Sequence, residues 1–260
     1  MAFNTIRLEK SDRILTLTMD RPDALNAMNS EMLSEMHQAF ASVREDEEIK
    51  ALVIRGNERA FSAGGDLKFV QQALKEPKTF AEYRDQIYEA LFALEELPVP
   101  VIAVVRGFAL AGGLELAMAC DLVLVADDAT IGDQHINVGL IPGGGNTQRL
   151  PRKLGMQRAL HLMFTGGRLS GKEAVEWGLA YKSVPNDKLD DEVEVVLASL
   201  RDRSRPALGA IKKATYEGWQ MPNLRDAIRH ETLCMTEYIT TSDHPAQGVQ
   251  AFMEKRTPKF

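Results

Sequence analysis

Apolar and polar residues follow two different periods along the first three quarters of the chain. Short apolar runs are typical of buried strands, and segments with an apolar residue every three or four positions are typical of helices. The two patterns alternate, which predicts an α/β fold. The predicted strands are 5–9, 14–19, 51–55, 101–105 and 122–126. The predicted helices are 30–44, 80–96 and 112–119, with further helices starting near residue 66 and after 145.

The pattern changes near residue 190, beyond which the strand signal disappears. Within 223–240, apolar residues such as Leu224, Ile228 and Ile239 recur at the spacing of one helix face, with polar residues between them. We therefore predict two regions. The first is a core of residues 1–195, and the second is a helical C-terminal region of residues 196–260.

Two glycine-rich segments, 61–68 and 107–116, each lie between a strand-like run and a helix-like run. The first N–H groups of a helix have no partner within it, and the helix dipole adds partial positive charge there. Glycine at this point lets a ligand approach the backbone closely. Two such N–H groups directed at one oxygen form an oxyanion hole, which stabilises an enolate or a tetrahedral oxyanion. The pattern therefore predicts an enzyme.

The composition narrows the class of partner. The chain has 260 residues, of which 45% are hydrophobic and 26% charged, with a formal net charge of −6. This acidic balance offers no basic face, so neither nucleic acid nor anionic lipid is expected as a partner. Residues 99–120 are apolar, but Pro100 and Arg106 interrupt them, so no membrane span is expected. We expect a cytoplasmic protein, although an organelle form without its targeting peptide would look the same.

Two other kinds of site are not expected. The two cysteines, Cys120 and Cys234, lie in apolar helix-like runs and predict buried, inert thiols and no disulfide framework. Asp127 and Asp128 fit a polar turn, and without a third ligand they predict no metal site. The glycines at 143–145 are not followed by the Lys and Ser/Thr of a phosphate-binding P-loop.

Two residues are candidates for proton transfer. Glu115 lies three residues after Gly112. On a helix, its carboxylate therefore lies one turn after the Gly112 N–H and on the same side of the helix. Its neighbours are apolar, which predicts a buried carboxylate that moves a proton on a substrate held at the glycine turn. His135 lies between the strand 122–126 and the glycines at 143–145, and imidazole is a natural acid or base near neutral pH. A histidine in a loop more often has a structural role. The hypothesis that His135 transfers a proton therefore rests on its position between these two segments.

The order and spacing of these segments resemble the crotonase family, the enoyl-CoA hydratase/isomerase superfamily, over essentially the whole chain. Each motif alone is moderately specific, and their order and spacing together are highly specific. The residues that carry the resemblance are 21–26, 61–68, 107–119, Asp121, 139–150, Thr165, Gly166, Ala174, Gly178, Leu179 and 252–256.

The resemblance implies a spiral of β-β-α units with a C-terminal helical oligomerisation region, assembled as a homotrimer or a dimer of trimers. It implies an acyl-CoA thioester, so coenzyme A is part of the substrate and no separate cofactor is expected. The thioester oxygen would accept hydrogen bonds from the N–H groups of Gly65 and Gly112. The residues implied in binding the coenzyme A portion are Ala24, Leu25, Ala63, Gly64, Asp66, Leu67 and Lys255.

One position departs from the family pattern. The family hydratases hold water with two glutamates, assisted by an N–H group at the position of Gly143. Glu115 matches the first glutamate, whereas His135 occupies the second position. A histidine has a different reach and, when neutral, one acceptor nitrogen. Two roles stay open for it: protonation of the α-carbon while Glu115 activates water, or a different acyl-CoA reaction.

The leading prediction is hydration of a 2-enoyl-CoA to a 3-hydroxyacyl-CoA. Glu115 would be the base, and His135 or Glu115 itself would protonate the α-carbon. Within enzymes, the alternative is a crotonase-fold isomerase, decarboxylase or hydrolase that uses the histidine. Outside enzymes, the alternative is a non-catalytic CoA-ester-binding scaffold.

Overall fold

The strands form two sheets of unequal size. The computed structural model describes residues 3–260, and within them six strands form one sheet and four strands form the other. The large sheet has the order β1 (Ile6–Ser11), β2 (Ile14–Met19), β3 (Ala51–Arg55), β5 (Val101–Val105), β7 (Leu122–Ala126) and β10 (Lys182–Val184). The small sheet has the order β4 (Ala60–Ser62), β6 (Phe108–Leu110), β8 (Thr130–Gly132) and β9 (Leu169–Ser170).

Five of the six strands of the large sheet match the predicted strands, and the sixth, β10, was not predicted. β1 and β2 form an antiparallel hairpin, and the other neighbouring strands run parallel. The central strand β5 is buried at every position. A parallel strand covered on both faces needs apolar side chains on both, which explains its continuous apolar run.

The small sheet was not predicted. Its strands have only two or three residues, which is too short to show a strand period. β6 follows directly after Gly107 and was read as part of a turn. β4, β6 and β8 run parallel, and β9 is antiparallel to β8.

The two sheets are linked by a repeated unit. A long strand of the large sheet leads into a short strand of the small sheet and then into a helix, three times in succession, over residues 51–95, 101–119 and 122–154. This confirms the α/β fold and its β-β-α units. Because β4, β6 and β8 are parallel, the three turns that follow them lie at the same edge of the small sheet.

Eleven α-helices cover the sheets within residues 3–260. Several begin at side-chain caps: Asn29 Oδ1 accepts from the Met32 N–H (3.0 Å) and Asp66 Oδ1 from the Lys68 N–H (3.1 Å). The helices are α1 (Ser30–Glu45), α2 (Leu67–Ala73), α3 (Pro77–Glu95), α4 (Gly112–Ala119), α5 (Asn146–Leu154), α6 (Met156–Thr165), α7 (Gly171–Trp177), α8 (Leu189–Arg201), α9 (Arg205–Trp219), α10 (Leu224–Thr241) and α11 (His244–Met253).

Helices alone follow β10, as the sequence predicts, and residue 195 falls inside α8. Lys212 of α9 connects the C-terminal helical region to the core. Its Nζ donates to Asp121 Oδ2 (2.8 Å) and to the Leu94 carbonyl (2.8 Å). The predicted apolar face of α10 is not covered by any part of residues 3–260. Exposed apolar side chains of α9 to α11 include Ile211, Trp219, Leu224, Ile228, Leu233, Ile239 and Phe252.

Two further expectations concern burial and membrane crossing. Cys120 and Cys234 are both free and buried, as predicted. Across residues 3–260, we find no helix with the length and apolar character needed to span a membrane.

Candidate active site

A cavity of about 210 Å³ lies where the turns after β4, β6 and β8 meet. Gly65 comes from the first turn, Gly112 from the second, and His135 from the third. Glu115, on the first turn of α4, also lines the cavity. Gly143 of the third turn lines the cavity as well, so the fold brings together all five residues predicted to act in chemistry.

The first two turns pack backbone against backbone. A Cβ atom on Gly64 would lie 2.9 Å from the Gly112 nitrogen, and a Cβ on Gly112 would lie 3.3 Å from the Gly65 nitrogen. Only glycines allow this approach, and Gly64 also has a positive φ of 104°. The two predicted N–H groups are therefore close neighbours on one wall of the cavity.

Hydrogen bonds on either side of Gly65 leave its own N–H unused. The Met28 N–H donates to the Gly64 carbonyl (2.7 Å), and the Asp66 N–H donates to the Met28 carbonyl (2.9 Å). Among residues 3–260, neither the Gly65 N–H nor the Gly112 N–H has a hydrogen-bond acceptor. Both groups are free to bind an oxygen in the cavity.

Ala111 sets the direction of the Gly112 N–H, a role that sequence reasoning did not predict. It precedes α4 with φ 49° and ψ −116°, a conformation that residues with a side chain rarely adopt. Its own N–H donates to the Gly132 carbonyl (3.0 Å), which holds the strained turn against β8. Such strain is found where a surrounding fold fixes a functional geometry.

Glu115 is buried, as predicted, with 3% of its surface exposed. Its Oε1 accepts hydrogen bonds from the backbone N–H groups of Gly144 (2.7 Å) and Asn146 (3.2 Å). Burial raises the pKa of Glu115, and the charge of His135 and the two N–H groups only partly oppose this. The carboxyl is thus held in place by the third turn and is more basic than an ordinary glutamate.

His135 lies in a short 3-10 helix, His135–Val138, that follows β8. Its Nε2 is 3.9 Å from Glu115 Oε2, and its Nδ1 is 2.9 Å from Asp133 Oδ1. Burial alone would lower the pKa of His135, but the hydrogen bond to Asp133 and the charges of Glu115 and Asp133 together raise it. The ring therefore lies between two carboxylates.

Sequence reasoning missed Asp133 and Asn146. Asp133 and Asn146 are fully buried, and the Asn146 side-chain amide donates to Asp133 Oδ2 (2.8 Å). Burial would raise the pKa of Asp133, but its hydrogen bonds to His135 and Asn146 and the charge of His135 lower it. One signal was available: an aspartate two residues before a candidate histidine is positioned to bind it.

The third turn makes a contact that sequence reasoning did not predict, while the assistance of the Gly143 N–H in holding water stays a prediction. Gly143 lines the cavity, but it is the next residue, Gly144, whose N–H binds Glu115. A Cβ on Gly144 would lie 2.6 Å from Glu115 Oε2, so only glycine fits there. Arg149 holds this turn in place, because its Nη1 donates to the Gly144 carbonyl (2.6 Å) and its Nε to Glu95 (2.8 Å).

The remaining wall of the cavity is mainly apolar and comes partly from α3. Phe80 and Ile87 line it, together with Leu140 and Ile141 of the third turn. Tyr83 also lines it and donates its hydroxyl to the Met28 carbonyl (2.7 Å). Burial raises the pKa of Tyr83 to about 12, which keeps the hydroxyl neutral.

The residues implied in coenzyme A binding fall into two groups. Ala63 and Leu67 line the cavity, whereas Gly64, which lies between Ala63 and Gly65, does not. Close to them, Leu25 has a positive φ of 49° and its carbonyl accepts from the Ala63 N–H (2.9 Å). Within residues 3–260, the cavity lining comes only from positions 28–144, so Lys255 does not reach it in the same chain.

Ala24 and Asp66 have structural partners. Ala24 closes the short 3-10 helix Pro22–Ala24, just before Leu25. Asp66 caps α2 and forms an ion pair with Arg21 (2.9 Å) that sequence reasoning also missed. This pair joins the 21–28 segment to the first glycine turn.

One group of possible metal ligands lies elsewhere. Within residues 3–260, Glu217, His230 and Cys234 place their ligand atoms within 4.8 Å of one another on α9 and α10. His230 Nε2 is 2.6 Å from Glu217 Oε2, so a direct hydrogen bond accounts for this contact. None of the three lines the cavity.

Comparison with known proteins identifies the family. The chain belongs to the enoyl-CoA hydratase/isomerase family, whose model matches residues 9–260. A probable enoyl-CoA hydratase of Mycobacterium tuberculosis is 34% identical over 261 residues, which cover 100% of this chain and 99% of the relative. A crotonyl-CoA hydratase of Syntrophomonas wolfei is 35% identical over 262 residues, with coverage of 100% and 99%.

Solved structures agree with this assignment. The crystal structure of an enoyl-CoA hydratase from Bacillus anthracis matches with a TM-score of 0.92 at 31% identity, over 99% of both chains. An enoyl-CoA hydratase from Mycobacterium smegmatis matches with the same TM-score at 30% identity, over 98% of both chains. The predicted family and the crotonase-like fold are therefore confirmed.

Proposed function

We propose that the protein hydrates a 2-enoyl-CoA thioester to the 3-hydroxyacyl-CoA. The observation that carries this proposal is the facing pair of Glu115 and His135, whose Oε2 and Nε2 atoms lie 3.9 Å apart in a cavity that also holds two unused backbone N–H groups. The relatives named as enoyl-CoA hydratases support the substrate class.

In this proposal the thioester oxygen accepts hydrogen bonds from the N–H groups of Gly65 and Gly112. Addition of water at the β-carbon moves charge onto that oxygen as an enolate. Donors already directed at the oxygen stabilise this charge without reorganising, which is commonly the largest single term in such catalysis. The fixed approach of the two turns supplies that preorganisation.

The proton balance uses both side chains. Glu115 takes one proton from water as the oxygen bonds to the β-carbon, and the His135 Nε2–H gives one proton to the α-carbon. This leaves a protonated glutamate and a neutral histidine. Transfer of one proton from Glu115 to His135 across their short separation restores the starting state. The raised pKa of Glu115 suits a base, and the raised pKa of His135 favours a proton donor.

We also propose that the 24–25 and 63–67 segments hold the coenzyme A portion. Leu67, whose side chain is exposed, lines the cavity, and the nearby backbone of Ala24 and Leu25 is fixed by the turn they form. Lys255 would reach coenzyme A phosphates only from a neighbouring subunit.

A trimer or a dimer of trimers would supply the neighbouring subunit from which Lys255 reaches coenzyme A. It would also cover the exposed apolar face of α9 to α11. Sedimentation at working concentration is expected to give an assembly of three or six chains, and Leu224→Glu with Ile228→Glu is expected to shift it toward monomer. Thr240→Glu, a change at an exposed polar position of α10, serves as the control. A wild-type protein that sediments as a stable monomer would refute the assembly.

The reaction is tested with crotonyl-CoA. Loss of the conjugated thioester absorbance, with 3-hydroxybutyryl-CoA as the identified product, is the expected result. Loss of that absorbance with a different product would indicate an isomerase or hydrolase and contradict hydration. Tight binding of crotonyl-CoA without turnover would indicate a non-catalytic scaffold.

A further inference from the structure

We propose that Asp133, held by Asn146, is a positioning residue that fixes the orientation and tautomer of His135 in the active site. This proposal rests on the proposed function, because it concerns the residue that protonates the α-carbon. Neither Asp133 nor Asn146 lines the cavity. They would act on the substrate only through His135 and Glu115.

The first step of the argument is the contact between Asp133 and His135. Asp133 Oδ1 accepts twice from the same residue, from the His135 backbone N–H (3.1 Å) and from ring Nδ1 (2.9 Å). A carboxylate only accepts hydrogen bonds, so Nδ1 must carry a hydrogen. The ring is thereby held with Nε2 toward Glu115, and Nδ1 is excluded from the cavity chemistry.

The second step is the role of Asn146. Its side-chain amide donates to Asp133 Oδ2 (2.8 Å), and its backbone N–H donates to Glu115 Oε1 (3.2 Å). One residue thus contacts the supports of both functional side chains. Its Oδ1 is buried without a partner among residues 3–260, because the amide group must turn its donor toward the carboxylate.

The third step is electrostatic. The carboxylate of Asp133, from the segment after β8, and that of Glu115, from α4, face the ring of His135 from two sides. Two negative groups favour the imidazolium over neutral imidazole, against the effect of burial. With Nδ1 bound to Asp133, the second hydrogen of the imidazolium lies on Nε2, where a proton donor is required.

A purely structural role would have different consequences. Asp133 would then serve only to end β8 and begin the 3-10 helix through the His135 backbone N–H. Its replacement would lower stability and leave the titration of the ring unchanged. The test must therefore read the histidine itself.

The experiment compares Asp133→Asn with wild type in the full-length protein. Ring nitrogen NMR of His135 is expected to show a lower titration midpoint, because the carboxylate charge is gone. Turnover of crotonyl-CoA is expected to fall about 10-fold to 10²-fold, by analogy with partners of functional histidines at metal sites. The KM should stay unchanged, since Asp133 does not contact the cavity. Asp128→Asn, at an exposed aspartate a few residues earlier, is the matched control.

Asn146→Ala provides a second variant if Asp133→Asn does not fold. It removes the side-chain bond to Asp133 but keeps the backbone N–H that binds Glu115. It should lower the same midpoint by a smaller amount, because Asp133 is no longer held against the ring and its hydrogen bond to Nδ1 weakens. In a His135→Gln background, Asp133→Asn is expected to cause no further loss of turnover, because the residue it positions is absent.

The outcomes separate this proposal from the proposed function. An unchanged midpoint in both variants, with unchanged kcat in whichever folds, overturns the positioning role. An additional loss of turnover in the His135→Gln background also overturns it. A lowered midpoint in a protein that does not hydrate crotonyl-CoA supports the positioning role and contradicts hydration alone, because the NMR titration does not depend on turnover.

Discussion

The three turns at the edge of the small sheet differ in what they present to the cavity. The turns after β4 and β6 present bare backbone, and close packing between Gly64 and Gly112 fixes them. The turn after β8 presents an imidazole and a loop that binds the carboxyl of Glu115. The turns thus supply backbone donors twice and an ionisable side chain once, while the carboxyl of Glu115 comes from the helix that follows the second turn.

This difference separates two kinds of constraint. The direction of a backbone N–H donor is set by the packing of the backbone around it and not by a side chain. An atom added to these closely packed turns therefore disturbs the donor. An ionisable side chain depends on its neighbours for its pKa and orientation, so it can be retuned by substitutions around it. We therefore expect the first two turns to tolerate little change, and the third turn to set which proton transfers are possible.

The largest expected effect is the loss of the base. Glu115→Gln keeps the size of the side chain and an oxygen that can accept from the Gly144 N–H, but it removes the proton acceptor. Turnover of crotonyl-CoA should fall by about 10²–10⁴. Glu89→Gln, at an exposed glutamate of α3, is the control and should behave as wild type. Unchanged kcat in a folded Glu115→Gln protein would remove this residue from the mechanism.

The next effect tests the backbone donors directly. Proline at Gly112 removes the N–H at the first position of α4, a donor that has no acceptor among residues 3–260. The Cβ of the proline would lie 3.3 Å from the Gly65 nitrogen, so the neighbouring turn must shift slightly to accept it. Turnover should fall by roughly 10²–10³, the usual effect of removing one oxyanion-hole donor. Circular dichroism and thermal unfolding establish that the protein is folded. A folded Gly112→Pro variant with full activity would show that the oxyanion assignment is wrong.

The comparison of the turns also explains what could be predicted from the sequence. Gly65, Gly112 and Glu115 were found because a helix start and a three-residue helical spacing are local properties. The strands β4, β6 and β8 were missed because two or three residues carry no period. Asp133, Asn146 and Arg149 were missed because their importance depends on contacts that only the folded chain creates. The ionisable third turn was therefore the least predictable part of the site.

The pH dependence of kcat/KM separates the two side chains that face each other. The pKa of Glu115 is raised above its ordinary value of 4.5. As the pH falls below this raised pKa, Glu115 becomes protonated and can no longer act as the base. The pKa of His135 is raised above 6.5, so the proton donor is lost as pH rises through a value above 6.5. A bell-shaped profile is expected, reporting the pair as a coupled system. His135→Gln should remove the alkaline limb.

His135→Glu sharpens this result, because it restores the carboxylate of the family pattern. If hydration is the native reaction, this variant should hydrate crotonyl-CoA at least as fast as wild type at low pH. If the native reaction is a different acyl-CoA reaction that requires imidazole, it should be inactive. Wild-type kinetics and pH dependence for both His135→Gln and His135→Glu would assign the histidine a structural role.

The smallest expected effect concerns the support of the third turn. Arg149 binds the Gly144 carbonyl and Glu95, and its guanidinium lies 5.7 Å from the centre of the Phe92 ring. Arg149→Ala removes this support but leaves Glu115 bound to two backbone N–H groups. We therefore expect kcat to fall only a few-fold, which is less than the tenfold that corresponds to about 1.4 kcal/mol. Arg152→Ala, at an exposed arginine of the same helix, is the control. The pH profile of Arg149→Ala should keep both limbs, because neither ionising group is lost. A fall in kcat as large as that of Glu115→Gln would mean that the third turn is as rigidly constrained as the first two, and the contrast between the turns would then fail.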